Sequence, residues 1–207
     1  ALCTKNFPEP AVKPGEHFNT ILYDDGAGAK TGVGFQPDLV WLKSRGGALS
    51  HKLTDVLRGT TKSLASDSDA AEATESTGLT AFGSDGFTVG ADADYSDTTG
   101  DGMVAWCWKA GTSASGATQG SGTLKTYTSS YNTAAGFSIT KYTGNGTAGH
   151  TIPHSLSVAP NLVITKQLNS AGWTRGWAVG TVQPLVPMTF SDYFVLNTTA
   201  PKAASAS

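Results

Sequence analysis

Short runs of alternating apolar and polar residues recur along the chain, most of them closed by Gly, Asn, Asp or Pro. A period of two puts successive side chains on opposite faces of an extended strand. In the first half such runs predict strands over Phe18–Tyr23, Asp38–Lys43, Phe87–Val89 and Met103–Lys109. In the second half they predict strands over Phe137–Tyr142, Asn161–Lys166, Trp177–Val182 and Tyr193–Leu196. Within Met103–Lys109, Val104, Trp106 and Trp108 fall on one side and Ala105, Cys107 and Lys109 on the other. The two tryptophans are expected to anchor a core, because each can bury a large area once its N–H has a partner. Helical periodicity is weak everywhere. Only Ser68–Ser76 has helix-forming composition, and it is too short to stand alone. Frequent short strands between turn residues predict an all-β fold of β-sandwich-like units.

The pattern is written twice. Phe18 and Tyr23 align with Phe137 and Tyr142; after a four-residue insertion, Pro37, Leu39, Val40 and Lys43 align with Pro160, Leu162, Val163 and Lys166. A period of this length exceeds the solenoid range and implies two related units of domain or half-domain size. The organisation expected is an extended, proline-containing lead-in over 1–17, a first β unit over 18–111, a Gly/Ser/Thr-rich linker or long loop over 112–136, and a second, truncated unit over 137–207. Leu124–Tyr131 is a candidate edge strand within that linker. The second unit has no counterpart to the strands at Phe87–Val89 and Met103–Lys109, so the chain is expected to be part of a longer polypeptide.

Composition narrows the function classes. Charged residues make up 14% of the 207 positions, below the roughly 25% usual in soluble domains, while Gly numbers 25 and hydroxyl side chains abound. With a net charge of −2 and no basic run, nucleic-acid binding through phosphate neutralisation is not expected. No apolar stretch approaches the roughly 18 residues of a membrane-spanning helix, and no membrane insertion is expected. Cys3 and Cys107 are the only cysteines; they either pair or remain two separate thiols.

Candidate chemistry is sparse. The run Asp92, Asp94, Asp97 and Asp101 could supply oxygen ligands to calcium from a glycine-containing loop. It lacks the EF-hand register, and a solvated turn between strands accounts for the same residues. His150 and His154 are four apart, but Pro153 and the surrounding strand-and-turn sequence deny them the shared helical face that zinc would use. Trp173 and Trp177 could stack on sugar rings, with Arg175 donating hydrogen bonds between them; packing of one or both tryptophans into a core is the favoured account. Asp24, Asp25, Glu72 and Glu75 read as solvated carboxylates, and no G-x-S-x-G nucleophile elbow occurs. No catalytic residue and no cofactor are expected.

Several segments together resemble a domain of unknown function found in bacteriophage virion proteins, especially those of marine and cyanobacterial phages. They are Asn6–Tyr23, Gly32–Arg45, Asp55–Thr74, Leu79–Gly90, Val104–Gly111 and Gly136–Lys166, distributed over residues 6–166 of the chain. The resemblance implies a non-enzymatic structural component of the virion, a tail-fibre, head-fibre or spike module. It implies partnership with other virion proteins and with copies of itself, as a trimer or a lattice. A receptor- or carbohydrate-binding module that meets a host-surface glycan is the alternative, and a polysaccharide-degrading tailspike a more distant one.

Overall fold

The computed structural model describes residues 12–24, 26–97, 100–169, 177–181, 192–195 and 203–204; for 181, 192–195 and 203–204 only the backbone pairing is described. After a single 3₁₀ turn at Pro14–Glu16 the strands begin: β1 (Phe18–Tyr23), β2 (Gly28–Thr31), β3 (Leu39–Ser44), β4 (Lys52–Asp55), β5 (Lys62–Ala65) and β6 (Ala73–Thr74). Next come β7 (Leu79–Gly83), β8 (Gly86–Val89), the one-turn helix α1 (Ala93–Ser96) and β9 (Met103–Trp108). The remainder consists of β10 (Thr112–Ala117), β11 (Gln119–Gly120), β12 (Thr126–Asn132), β13 (Phe137–Tyr142), β14 (His150–Thr151), β15 (Leu162–Thr165), β16 (Ala178–Thr181), β17 (Asp192–Val195) and β18 (Ala203–Ala204). The fold is all-β. Every expected strand is present to within a residue or two. Ser68–Ser76 is not helical: its end forms the short strand β6.

The first unit is a two-layer sandwich. One layer has the order β1-β9-β3-β4-β5-β6 and the other β2-β8-β7, all neighbours antiparallel. Cross-strand partners share a face. On the face toward the second layer stand Asn19, Cys107 and Val40 in one row, Ile21, Ala105 and Leu42 in the next, then Tyr23, Met103 and Ser44. They pack with Val33, Phe35, Leu79, Phe87, Val89 and Tyr95 into the main core. Within the smaller layer Gly86 lets β8 lie close to β2: a Cβ there would overlap the Lys30 carbonyl oxygen, and its φ of +153° suits glycine.

The alternation in β9 is as expected, but the tryptophans lie on the other face. Met103, Ala105 and Cys107 are fully buried, whereas Val104, Trp106 and Trp108 are half-buried on the outer side. The reason is steric. Packing against a second layer at β9 requires small and flexible side chains, and indole rings do not fit between the sheets. Instead Trp106 meets Trp41 edge-on at 6.1 Å between ring centroids. Trp108 is flanked by Phe18 at 5.0 Å and by Phe137, stacked, at 6.1 Å. The two phenylalanines that align between the repeats therefore hold the same indole.

The stretch 112–136, expected as a linker or long loop, carries β10, β11 and all of β12. β12 is the middle strand of a β10-β12-β13 sheet and not an edge. Thr, Ser and Tyr supply its strand propensity, and hydroxyls in place of aliphatic groups hide it from a hydrophobicity reading.

The duplication extends to strand register. In the first unit Leu39 pairs with Asp55, Lys52 with Ala65 and Ser63 with Ala73. In the second, Leu162 pairs with Thr181, Ala178 with Val195 and Tyr193 with Ala203. Counting outward from the aligned pair Leu39 and Leu162, each partner in one run matches its partner in the other. β3-β4-β5-β6 and β15-β16-β17-β18 are thus one four-strand meander formed twice. The units touch through a second apolar cluster, where Trp177 and Leu168 pack on Leu39, Trp41, Leu53 and Leu64.

The two faces of β9 yield a direct test. Met103→Ala is expected to cost about 2–5 kcal/mol, the range for truncating a fully buried side chain, and Val104→Ala clearly less. Equal losses in urea unfolding would refute this assignment of faces.

Candidate functional site

A dense group of ionisable side chains lies at the end of the sandwich beside α1. Lys52 is on the core-facing side of β4, in register with Leu42 and Ala65, so its ammonium enters the protein and needs partners. Its Nζ lies 2.5 Å from Glu75 Oε1 and 3.1 Å from Asp94 Oδ2, with all three side chains largely buried. Burial alone would lower the Lys52 pKa, but the hydrogen bonds and charges of Glu75 and Asp94 outweigh it and raise the value. Burial likewise opposes ionisation of Glu75, and the hydrogen bond and charge of Lys52, with the Tyr95 and Ser63 hydroxyls close by, reverse this to give a lowered pKa. Tyr95 is buried between the layers, and burial pushes its hydroxyl up to about 12. The hydroxyl sits among Thr54, Ser63 and Glu75. Thr54 Oγ1, Ser63 Oγ and Glu75 Oε2 are buried in this group without a hydrogen bond of good geometry.

These groups are held in forms unsuited to nucleophilic or base chemistry near neutral pH. The lysine stays protonated, the tyrosine stays neutral, and the Cys107 thiol is pushed up to about 12 by burial. Cys107 is free, and Cys3 lies outside the described residues. What the cluster can do is fix α1 and the segment around Glu75 to the sheet.

The four aspartates considered for calcium take separate duties. Asp92 caps α1 by accepting the Asp94 N–H at 3.0 Å. Asp94 accepts the Ser50 N–H at 3.0 Å and pairs with Lys52. Asp97, fully buried at a φ of +35°, accepts the Ser44 hydroxyl at 2.5 Å. Asp101 is exposed, and its carbonyl oxygen accepts from Arg45 at 3.4 Å. Among the described residues no group of three or more His, Cys, Asp or Glu side chains is arranged to hold a metal ion.

Of the three residues considered for glycan contact, Trp173 and Arg175 lie outside the described residues. Trp177 is buried, and its Nε1–H donates to the Ala65 carbonyl at 2.8 Å, so its ring offers no open stacking face. His150 Nδ1 lies 2.9 Å from Asn145 Nδ2 and 3.0 Å from the Ser121 carbonyl, and His154 Nδ1 accepts the Leu156 N–H at 3.1 Å. Both imidazoles organise loops.

Glu72 and Glu75 depart from the expectation of solvated carboxylates. Glu75 belongs to the Lys52 group. Glu72 Oε2 lies 3.5 Å from Arg58, whose Nε is 2.5 Å from Asp55 and whose Nη2 donates to the Leu53 carbonyl at 2.8 Å. The one sequence signal for Lys52 was parity: in K-L-T-D the lysine alternates with Leu53, whose face is set by Trp41 across the strand pair. Two further carboxylates act as clasps. Asp38 accepts the Ala110 N–H at 2.9 Å and the Ser130 hydroxyl at 2.8 Å, tying β12 to the first unit beside an open groove of about 350 Å³ that Gln36 and Lys109 also line. Asp85, exposed at the β7–β8 turn, accepts the Gly34 and Gly32 N–H groups, which lower its pKa.

The family model described as a domain of unknown function (DUF7483) matches residues 13–207, and the chain belongs to that family. No curated protein and no solved structure matches the chain.

The Lys52 group has a predictable pH signature. The depressed Glu75 pKa contributes stability that is complete above about pH 4.3, the ordinary glutamate value, and is lost as pH falls through the lower folded value. The raised Lys52 pKa contributes stability that is complete below about pH 10.4 and is lost as pH rises through the higher folded value. Lys52→Met is expected to cost about 3–5 kcal/mol, because it leaves two carboxylates buried without their cation. Adding Glu75→Gln should recover part of that loss and flatten both limbs of a melting-temperature profile against pH. Additive losses in the double variant would rule the coupling out.

Proposed function

We propose that this member of the DUF7483 family is a non-enzymatic structural module of a bacteriophage virion, a segment of a tail fibre, head fibre or spike that works beside other virion proteins and copies of itself. The observation that carries the reading is the four-strand meander formed twice in one register. Repeating a β unit along a chain extends a scaffold, whereas a substrate site needs convergent groups in one cavity. The use made of polar side chains agrees. Carboxylates at Asp38, Asp85, Asp92 and Asp97 cap, clasp and brace, and Lys52 is neutralised inside the sandwich. The sequence resemblance to virion proteins supplies the setting.

Immunogold electron microscopy with antibodies against the purified domain tests the proposal in the native source. Labelling of particles at a fibre, spike or capsid surface is the expected result. Recovery of the protein only from particle-free fractions would refute it. Saturable binding on a glycan array would instead move the reading to host attachment, and cleavage of a capsular polysaccharide would move it to a tailspike enzyme.

A further inference from the structure

The Lys52 group has the parts of an amide-forming site as well as those of an ion pair. Lys52 Nζ lies 3.1 Å from Asp94 Oδ2, in contact with a carboxyl group it can acylate itself upon. The other oxygen of that group, Asp94 Oδ1, accepts the Ser50 N–H at 3.0 Å. A backbone donor fixed on a carboxyl oxygen stabilises the charge that develops there when a nucleophile adds to the carbon. On its other side Nζ lies 2.5 Å from Glu75 Oε1, a base within reach of its proton. Glu75 Oε2 is buried without a hydrogen bond of good geometry, which leaves this carboxylate with unused accepting capacity.

The two carboxylates are not interchangeable. Asp94 is held by a backbone N–H, whereas Glu75 has the Tyr95 and Ser63 hydroxyls close by. The fixed donor marks Asp94 as the acyl acceptor and leaves Glu75 to move protons. The surroundings favour the reaction. Lys52 is 8% exposed, with Leu42 as its cross-strand partner, and Tyr95 is buried beside the group. Such enclosure limits the access of competing water.

We propose that Lys52 and Asp94 condense to an intramolecular isopeptide bond, with Glu75 as the proton relay. Glu75 Oε1 takes one proton from the Lys52 ammonium and passes it to Asp94 Oδ2, turning the carboxylate into the more reactive acid. The freed Nζ adds to Asp94 Cγ, and the oxyanion forms on Oδ1 against the Ser50 N–H. The Nζ–Cγ bond forms and the Cγ–Oδ2 bond breaks. Two of the three ammonium protons leave with Oδ2 as water, and the third stays on the amide. An ammonium and a carboxylate thus become a neutral amide and water, Glu75 ends ionised as it began, and no co-reactant is consumed.

The resting ion pair is unsuited to repeated turnover, but a bond made once per chain needs the free amine only in passing. Groups held in contact react as one molecule, and well-oriented pairs reach effective molarities of roughly 10⁵–10⁸ M. The pH signature of the Lys52 group belongs to the chain before condensation. Once formed, the bond joins β4 of the larger sheet to α1, which follows β8 of the smaller one. In the second meander Ala178 stands at the Lys52 position, so that unit cannot form the equivalent bond. The inference does not depend on where the protein works.

Intact-mass spectrometry of the purified chain, kept folded at neutral pH and then denatured, reads the bond directly. The expected mass is below the sequence mass by one water, about 18 Da, and a protease digest should contain a branched fragment joining Lys52 to Asp94. Lys52→Arg keeps a cation beside both carboxylates and should show its full sequence mass. Glu75→Gln keeps nucleophile and acceptor without the relay, and should slow condensation about a hundredfold or more. Circular dichroism identifies which variants fold, and the wild-type mass decides the case where they do not. Full sequence mass in the folded wild-type chain, or a water loss that maps to other residues or persists in Lys52→Arg, would overturn the proposal. Undiminished condensation in folded Glu75→Gln would overturn the relay.

Discussion

β9 comes late in the first unit and lies between two strands that come early. Its Met103, Ala105 and Cys107 side chains close the core, its Trp106 and Trp108 side chains form the aromatic outer face, and its backbone joins β1 to β3. Without it, β1 would separate from the meander that begins at β3, and the core would lose the centre of one wall. The main sheet therefore depends on a pairing between residues 80 to 90 positions apart in the chain, from Tyr23–Met103 to Phe18–Trp108. The inner side chains are small because a second sheet must approach them; a volume change there would be felt through the whole wall.

The second unit keeps the meander but has a different environment. Where the first unit places a lysine on the inner face of β4, the second has Ala178, so the Lys52–Glu75–Asp94 group belongs to the first unit. Trp177 enters the apolar cluster of the first unit and binds its Ala65 carbonyl, and Phe137 stacks on Trp108. The repeats have thus diverged in role. One is a closed sandwich, and the other supplies side chains to it.

Much of this was legible in the sequence, within limits that have physical causes. Strands bounded by Gly and Pro could be placed because alternation and turn chemistry agree at Phe18–Tyr23, Met103–Trp108 and Phe137–Tyr142. Ring size points to the tryptophan face of β9 as the inner one, and the structure reverses this, since M-A-C and V-W-W are both apolar and only the proximity of β2-β8-β7 decides between them. Thr126–Asn132 was hidden because hydroxyl residues cover sheets without looking hydrophobic. The Lys52–Glu75 pair joins residues with no local relation, and each alone resembles an ordinary surface charge. The aspartates near α1 were visible, but their separate duties were not, because capping and bracing depend on backbone donors that only the folded chain brings near.

The position of β9 also orders events during synthesis. Strands β3 to β6 have local partners and can pair as they emerge, whereas β1 must wait until Met103–Trp108 has left the ribosome. Throughout that interval the nascent first unit has a meander with a bare apolar edge and an aromatic face not yet formed. The hazards of that interval, mispairing and aggregation at the waiting edge, fall on Leu39 and Trp41, whose backbone groups face the place that β9 will take.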